Sequence, residues 1–292
     1  MTLQDKQWTS NDGISFGFRH WLPSDGSEPS AVLIGVHGLN GSSADFSNLG
    51  TAFAASGRAV YAYEMRGQGN DPRPEYRGDI AHPRDWLTDL AAFTALVQKR
   101  HPDADVFLYG ESLGSLIVTF AVQHKGLLPA DIRGIVLASP VLSLNGKLSL
   151  WKRLVLQIAA TAAPRHRLAF TGLAAGKTED LMVTSSSSFE ESAATTPWLV
   201  EKFSLRFFAF VGRMIEQMPR RAAKFEQEVL VLSGDQDVVT APHYTRDFVR
   251  RIPEDLRSHI SYGNGHHLLF YDEVSDQVVD DVLNWVVEVS RP

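Results

Sequence analysis

FLYGESLGS, residues 107–115, sets a serine between two glycines and joins one apolar run to another, LIVTFAV (116–122). That is the layout of a strained turn from a strand into a helix, with Ser112 at its apex. A serine hydroxyl is a poor nucleophile at neutral pH. It becomes useful when an imidazole takes its proton during attack and a carboxylate orients that imidazole. Whether Ser112 is a nucleophile or a turn residue therefore depends on what the rest of the chain supplies.

Outward from this stretch, short β-branched and aromatic runs alternate with longer stretches of helical period. The strand candidates are AVLIGV (31–36), AVYAYE (59–64), VFLYG (106–110), GIVLAS (134–139), VLVLSG (229–234) and HISYG (259–263). Apolar on both faces, they suit the centre of a buried, mostly parallel sheet covered by helices. Trp86, Leu90, Phe93 and Val97 recur at helical spacing, as do Val274, Val278, Val282 and Val289. GISFGFRHWLP and the residues before it read as an antiparallel edge hairpin. Residues 144–220 break the rhythm: they contain no convincing strand and are rich in Leu, Ala and Phe. The expected organisation is an α/β core, 1–143 and 221–292, with a helical cap inserted at 144–220.

Ligand sites of open α/β sheets lie beyond the carboxyl ends of the strands. Two candidate carboxylates, Asp235 and Asp237, end the run VLVLSGDQD, and two candidate imidazoles, His266 and His267, follow HISYGNG. Negative charge on a carbonyl attacked by Ser112 needs backbone N–H donors, each able to lower the barrier by on the order of 3 kcal/mol. Leu113, at the start of a helix whose dipole favours an anion, supplies one. The Gly/Ser-rich turn VHGLNGSS (36–43) supplies the other, and Leu39 is the residue nominated there. His37, beside that turn, reads as a residue that shapes the loop by hydrogen bonding.

Taken together, the chain resembles the α/β-hydrolase superfamily over nearly its whole length. Within it the chain is similar to the monoglyceride lipase and lysophospholipase group, also described as serine aminopeptidase-like. The HG turn is His37-Gly38. The D-x-R-G-x-G-x-S segment is matched by EMRGQGND (64–71), with Glu64 in place of the usual Asp and Asp71 in place of the usual Ser. The G-x-S-x-G elbow is Gly110, Ser112 and Gly114, followed by Ser115 where another glycine is frequent. A Gly followed three residues later by the acid falls on Gly234 and Asp237, and the final G-x-G-H falls on Gly263, Gly265 and His266, with Asp272 beyond. The order Ser, Asp, His along the chain is that of this fold. The resemblance implies an α/β-hydrolase fold with a helical cap, and a triad of Ser112, Asp237 and His266.

Composition narrows the alternatives. The 292 residues carry a formal net charge of −6 with no basic block, which gives no reason to expect nucleic acid. There is no cysteine, hence no disulfide, thiolate metal site or cysteine nucleophile. No signal peptide and no membrane span are legible, and a cytoplasmic protein is the expectation. TGLAAGKT (171–178) lacks the first glycine of a phosphate-binding loop, and RGQGND (66–71) has two of the three glycines of a dinucleotide fingerprint. Neither carries a nucleotide, Lys177 reads as a solvated cap residue, and no metal or other cofactor is implied. The implied reaction is hydrolysis of a carboxylic ester with an apolar acyl group: a monoacylglycerol, a lysophospholipid or a simpler ester. The partners are then a small ester or lipid substrate and, transiently, lipid surfaces. Acyl transfer, amide cleavage or C–C hydrolysis could use the same triad, and a non-catalytic ligand-binding protein could share the fold. Most apolar cap residues should simply pack. Phe207, Phe208 and Phe210 cannot all face one way on a helix, so some apolar surface is expected above Ser112.

Overall fold

Alternation within each apolar run determines the architecture. The computed structural model describes residues 6–129, 131–143, 150–169, 184 and 199–290. In β3 (Ala31–Val36), Val32, Ile34 and Val36 enter one hydrophobic cluster while Ala31 and Leu33 enter another on the opposite face. β5 (Asp105–Glu111) divides in the same way, with Val106 and Leu108 against Phe107 and Tyr109. A strand that buries both faces must be apolar throughout, with each fully buried aliphatic side chain contributing roughly 1.5–3 kcal/mol.

The remaining strands of this sheet are β1 (Gln7–Thr9), β2 (Ser15–Trp21), β4 (Ala59–Tyr63), β6 (Ile132–Ala138), β9 (Glu228–Gly234) and β10 (Arg257–Tyr262). Their order is β1-β2-β4-β3-β5-β6-β9-β10. β1 pairs antiparallel with β2 and β2 antiparallel with β4, and every neighbour pair from β4 to β10 is parallel. The chain passes from β3 to β4 on one side and then to β5 on the other. A crevice therefore opens beyond the carboxyl ends of β3 and β5, at the point where the winding reverses.

Helices cover both faces. α1 (Ser47–Ala55) and α7 (Ser275–Val289) pack Leu49, Phe53, Val278, Val282 and Trp285 on one face. α2 (Pro83–Arg100) and α3 (Leu113–Val122) cover the other, and Phe248 of α6 (Pro242–Val249) joins them there. α2 begins where its sequence dictates. Pro83 occupies the first turn, where a missing N–H costs nothing, and Asp85 reaches back to the His82 N–H.

Between β6 and β9 lie α4 (Leu150–Ala162) and α5 (Leu205–Arg221). This segment also holds two short strands, β7 (Arg167–Ala169) and β8 (Lys202–Ser204), which pair antiparallel. The expectation of no strand in this block is corrected. At three residues each, RLA and KFS are too short to show a period. The phosphate-loop look-alike at 171–178, with Lys177, lies outside the described residues.

Several bonds fasten this insertion to the core. Asp79 accepts from Ser204 Oγ at 2.6 Å and from both Nε (2.7 Å) and Nη2 of Arg206. The Ser204 N–H donates to Gly78 O at 2.8 Å, and the Arg167 guanidinium caps the carbonyls of Glu75 and Arg77. Phe207 and Phe208 are buried with Phe203 at this junction, and Trp86 meets Phe207 edge-on at 5.8 Å. Phe210 points elsewhere, beside His82 and the Arg213 guanidinium.

Candidate active site

Ser112 sits between β5 and α3 with φ 49° and ψ −110°. Left-handed backbone at a non-glycine residue costs on the order of 1–3 kcal/mol and persists only where its surroundings enforce it. Here the glycines on either side allow that enforcement. A Cβ on Gly114 would stand 2.1 Å from Val36 O, and one on Gly110 would stand 2.5 Å from Gly114 O. The Ser112 N–H donates to Ala138 O at 3.0 Å. Ser115, in place of a frequent glycine, is fully buried and turns its hydroxyl onto Ser112 O at 2.5 Å. The substitution adds a bond to the turn.

One imidazole meets this serine, and it belongs to His267. Its Nε2 lies 2.9 Å from Ser112 Oγ and its Nδ1 lies 2.9 Å from Asp237 Oδ2. An ionised carboxylate only accepts, so Nδ1–H donates and Nε2 presents its lone pair to the serine hydroxyl. The other oxygen of Asp237 accepts from the N–H groups of Val239 (2.8 Å) and Thr240 (2.9 Å), which fixes the carboxylate plane. All three side chains are buried.

The expectation of His266 is corrected by the same geometry. His266 turns away: its N–H donates to Asp272 Oδ2 at 2.5 Å, and its Nδ1 lies 3.3 Å from Asp272 Oδ1. Adjacent residues in an irregular loop project in different directions, and a contact between glycines settles which one points inward. A Cβ on Gly234 would stand 2.1 Å from Gly265 O and 2.4 Å from His266 O. This close approach, with the Gln236 N–H bonded to Gly265 O, presses the two loops together so that Asp237 and His267 meet. Asp235 is not part of the arrangement; it accepts from Ser261 Oγ at 2.6 Å.

The turn after β3 lies alongside. A Cβ on Gly38 would stand 3.3 Å from Ser112 Cβ, so the Gly38–Leu39 peptide borders the serine, and Leu113 opens α3 beside it. His37 is fully buried. Its Nε2 accepts from the Met65 N–H (3.1 Å), which leaves Nδ1–H to donate to Gly38 O (2.9 Å). It shapes the loop. Glu64 and Arg66 work beneath it: Glu64 accepts from Ser43 and Asn70, and Arg66 forks onto Asp89 at 2.7 and 2.8 Å and reaches Asp12 at 2.7 Å. Within 66–71 the Gly67 N–H folds back onto Asp71 Oδ2, as a tight loop requires.

Two residues escaped the sequence reading. Glu111, the residue before the serine, is buried; burial and the nearby Asp45 carboxylate push its acid up to about 8, against the pull of a Gly38 N–H. Asn40, in the turn itself, is bonded to the cap. A buried acid inside G-E-S-L-G and an asparagine after His-Gly-Leu were the available signals. Among the described residues, no group of three or more His, Asp or Glu could hold a metal ion, and no helix is long and apolar enough to cross a membrane.

Comparison with known proteins places this geometry in context. Residues 27–274 match the family described as Hydrolase_4, serine aminopeptidase S33. The chain is 24% identical over 294 residues to a monoacylglycerol lipase of Mycolicibacterium smegmatis, covering 98% of each. It is 21% identical over 290 residues to an uncharacterized abhydrolase domain-containing protein of Dictyostelium discoideum, where 99% of this chain spans 29% of the longer relative. A soluble variant of monoglyceride lipase from Saccharomyces cerevisiae, solved with a substrate analog, superposes with a TM-score of 0.83 at 19% identity, over 100% of this chain and 99% of that one. At that identity the likeness is one of fold.

Proposed function

The chain belongs to the Hydrolase_4, serine aminopeptidase S33, family, and we propose that it is a serine hydrolase of carboxylic esters with an apolar acyl group, monoacylglycerols and lysophospholipids among them. The observation that carries this reading is the unbroken relay Asp237–His267–Ser112, two contacts of 2.9 Å at the rim of the sheet. The monoacylglycerol lipase among its relatives supports the ester class.

In this mechanism Ser112 Oγ attacks the ester carbonyl as His267 Nε2 takes its proton. Asp237 holds the imidazole in the required tautomer and stabilises the imidazolium. The N–H groups of Leu39 and Leu113 receive the oxyanion. His267 returns the proton to the leaving alcohol, and water, deprotonated by the same nitrogen, then releases the acid and restores Ser112. We assign residues 144–220 to a cap and 1–143 with 221–292 to the core; exclusion of water by a cap would strengthen the oxyanion bonds. Leu154, Val155 and Ile158 of α4 are 54–62% exposed, and Leu199 lies nearby in sequence to β8. These apolar side chains support transient contact of the cap with a lipid surface.

A chain-length series of p-nitrophenyl esters and monoacylglycerols tests the proposal. Turnover should rise with acyl length, and Ser112→Ala should lower kcat by on the order of 10⁴-fold or more. Undiminished turnover in folded Ser112→Ala would overturn the assignment, as would a wild-type preference for amides or β-diketones over esters.

A further inference from the structure

Asn40 stands next to Leu39 in the turn after β3, with φ 58°. Its side-chain amide faces one residue of the cap on both edges: Nδ2 donates to Val200 O (3.3 Å) and Oδ1 accepts from the Val200 N–H (3.0 Å). The pairing imitates the exchange between neighbouring strands, with a side chain in place of a second backbone. On the other side the Asn40 N–H donates to Gln68 Oε1 at 3.0 Å. Val200 is buried and leads directly into β8, which Ser204 anchors to Asp79 and Gly78. The turn bordering Ser112 is therefore fastened to the core through Gln68 and to the cap through Val200.

Left-handed backbone alone would be served as well by glycine, and asparagine is among the few other residues that adopt it readily. That need does not account for two reciprocal bonds to a segment 160 residues away in sequence. The amide has a job of its own. We propose that Asn40 is a positioning residue that makes the aim of the Leu39 N–H at the oxyanion conditional on the docking of the cap's returning segment at Val200. The inference rests on Ser112 as nucleophile and Leu39 as oxyanion donor. It adds a link by which the cap acts on the chemical step as well as on substrate binding.

Asn40→Gly separates the two roles, because it keeps the φ and removes the amide. Asn40→Asp keeps the acceptor for the Val200 N–H and sets a carboxylate against the Val200 carbonyl. A donor aimed only at the transition state changes kcat and leaves KM nearly alone. With p-nitrophenyl butyrate, Asn40→Gly should lower kcat by ~10-fold or more with KM within about 2-fold, since loss of a whole oxyanion donor costs ~10²–10³-fold. A trifluoromethyl ketone, whose serine adduct carries the same oxyanion, should lose affinity by the factor by which kcat/KM falls. Asn40→Asp should show the same pattern with Tm within a few degrees of wild type. Unchanged kcat and inhibitor affinity in both variants, or a loss confined to KM or to Tm, would overturn the proposal. Ser112→Ala, assayed in parallel, separates the two readings: its inactivity beside unaffected Asn40 variants overturns the Asn40 role alone, whereas its retained activity overturns the site as well.

Discussion

The Tyr271 hydroxyl donates to Asp45 Oδ1 at 2.6 Å, tying the segment after His267 to the segment after the His-Gly turn. Two of the loops that meet at Ser112 are thus held by a bond that involves none of its immediate partners. Burial raises the Asp45 acid, in spite of the Tyr271 bond and the nearby His37, and it lifts the Tyr271 phenol far above its ordinary value. Glu111 is near enough to Asp45 for that carboxylate to raise its acid. Two carboxyl groups beneath one turn cannot both ionise cheaply.

The folded protein consequently holds a proton on Glu111 that the unfolded chain, near 4.5, has released by neutral pH. Where the native state binds more protons, stability falls as pH rises. The Glu111 contribution is fully present below about 4.5 and is lost as pH climbs through about 8. Glu111→Gln keeps the acceptor for the Gly38 N–H and removes the titration. Its Tm should exceed that of wild type at pH 8 by on the order of a few degrees, and the gap should shrink towards pH 5. Thermal melts across that range check it, and a gap that widens towards acid would refute the assignment.

His266 and His267 should separate cleanly under substitution. His267→Ala should lower kcat by on the order of 10⁴-fold, since the imidazole is the only base in reach of Ser112 Oγ among the described residues. His266→Gln should stay within about 10-fold of wild type. Its cost should fall on stability, at ~1 kcal/mol for the weakened tie to Asp272. Kinetics and melts on the two variants decide which histidine serves the serine.

Gly234→Ala adds a methyl where Gly265 O already stands 2.1 Å away. The loops carrying Asp237 and His267 must then part. Overpacking of this kind costs ~1–3 kcal/mol, and displacement of the relay by even an ångström should reduce kcat by ~10²-fold. Urea unfolding and ester turnover should register both losses together.

Asp79 should be a latch for the cap. Burial raises its acid, but the Arg206 and Ser204 bonds more than offset this and leave it below the usual carboxylate range. The stability it contributes is present above about 3.8 and is lost as pH falls through its folded value. Asp79→Asn breaks the fork to Arg206 and should cost on the order of 2–4 kcal/mol near neutral pH. Limited proteolysis within 150–221 should accelerate, whereas a trypsin pattern identical to wild type would deny the latch.

How much of this was legible depends on the range of the forces involved. Alternation and local runs determine the five parallel strands β3, β4, β5, β6 and β9 and the edge strand β10, and each forms within about two residues of where its run predicts. The elbow was legible because Gly110, Ser112 and Gly114 are neighbours in sequence. The choice between His266 and His267 was not, because it rests on Gly234 meeting Gly265 across two strands and on Asp272 drawing His266 aside. Glu111 and Asn40 were hidden for the same reason. Their partners, Asp45 and Val200, are brought in by the fold and by no sequence pattern.

The β7–β8 pairing has a consequence for how this protein can change. Ala169 lies opposite Lys202 and Arg167 opposite Ser204. Side chains of a strand alternate between its two faces, so one residue inserted in either strand would turn those beyond it to the wrong side. Ser204 would then lose Asp79, and Arg167 the carbonyls of Glu75 and Arg77. This junction can drift by exchange of residues but not by a change in their number.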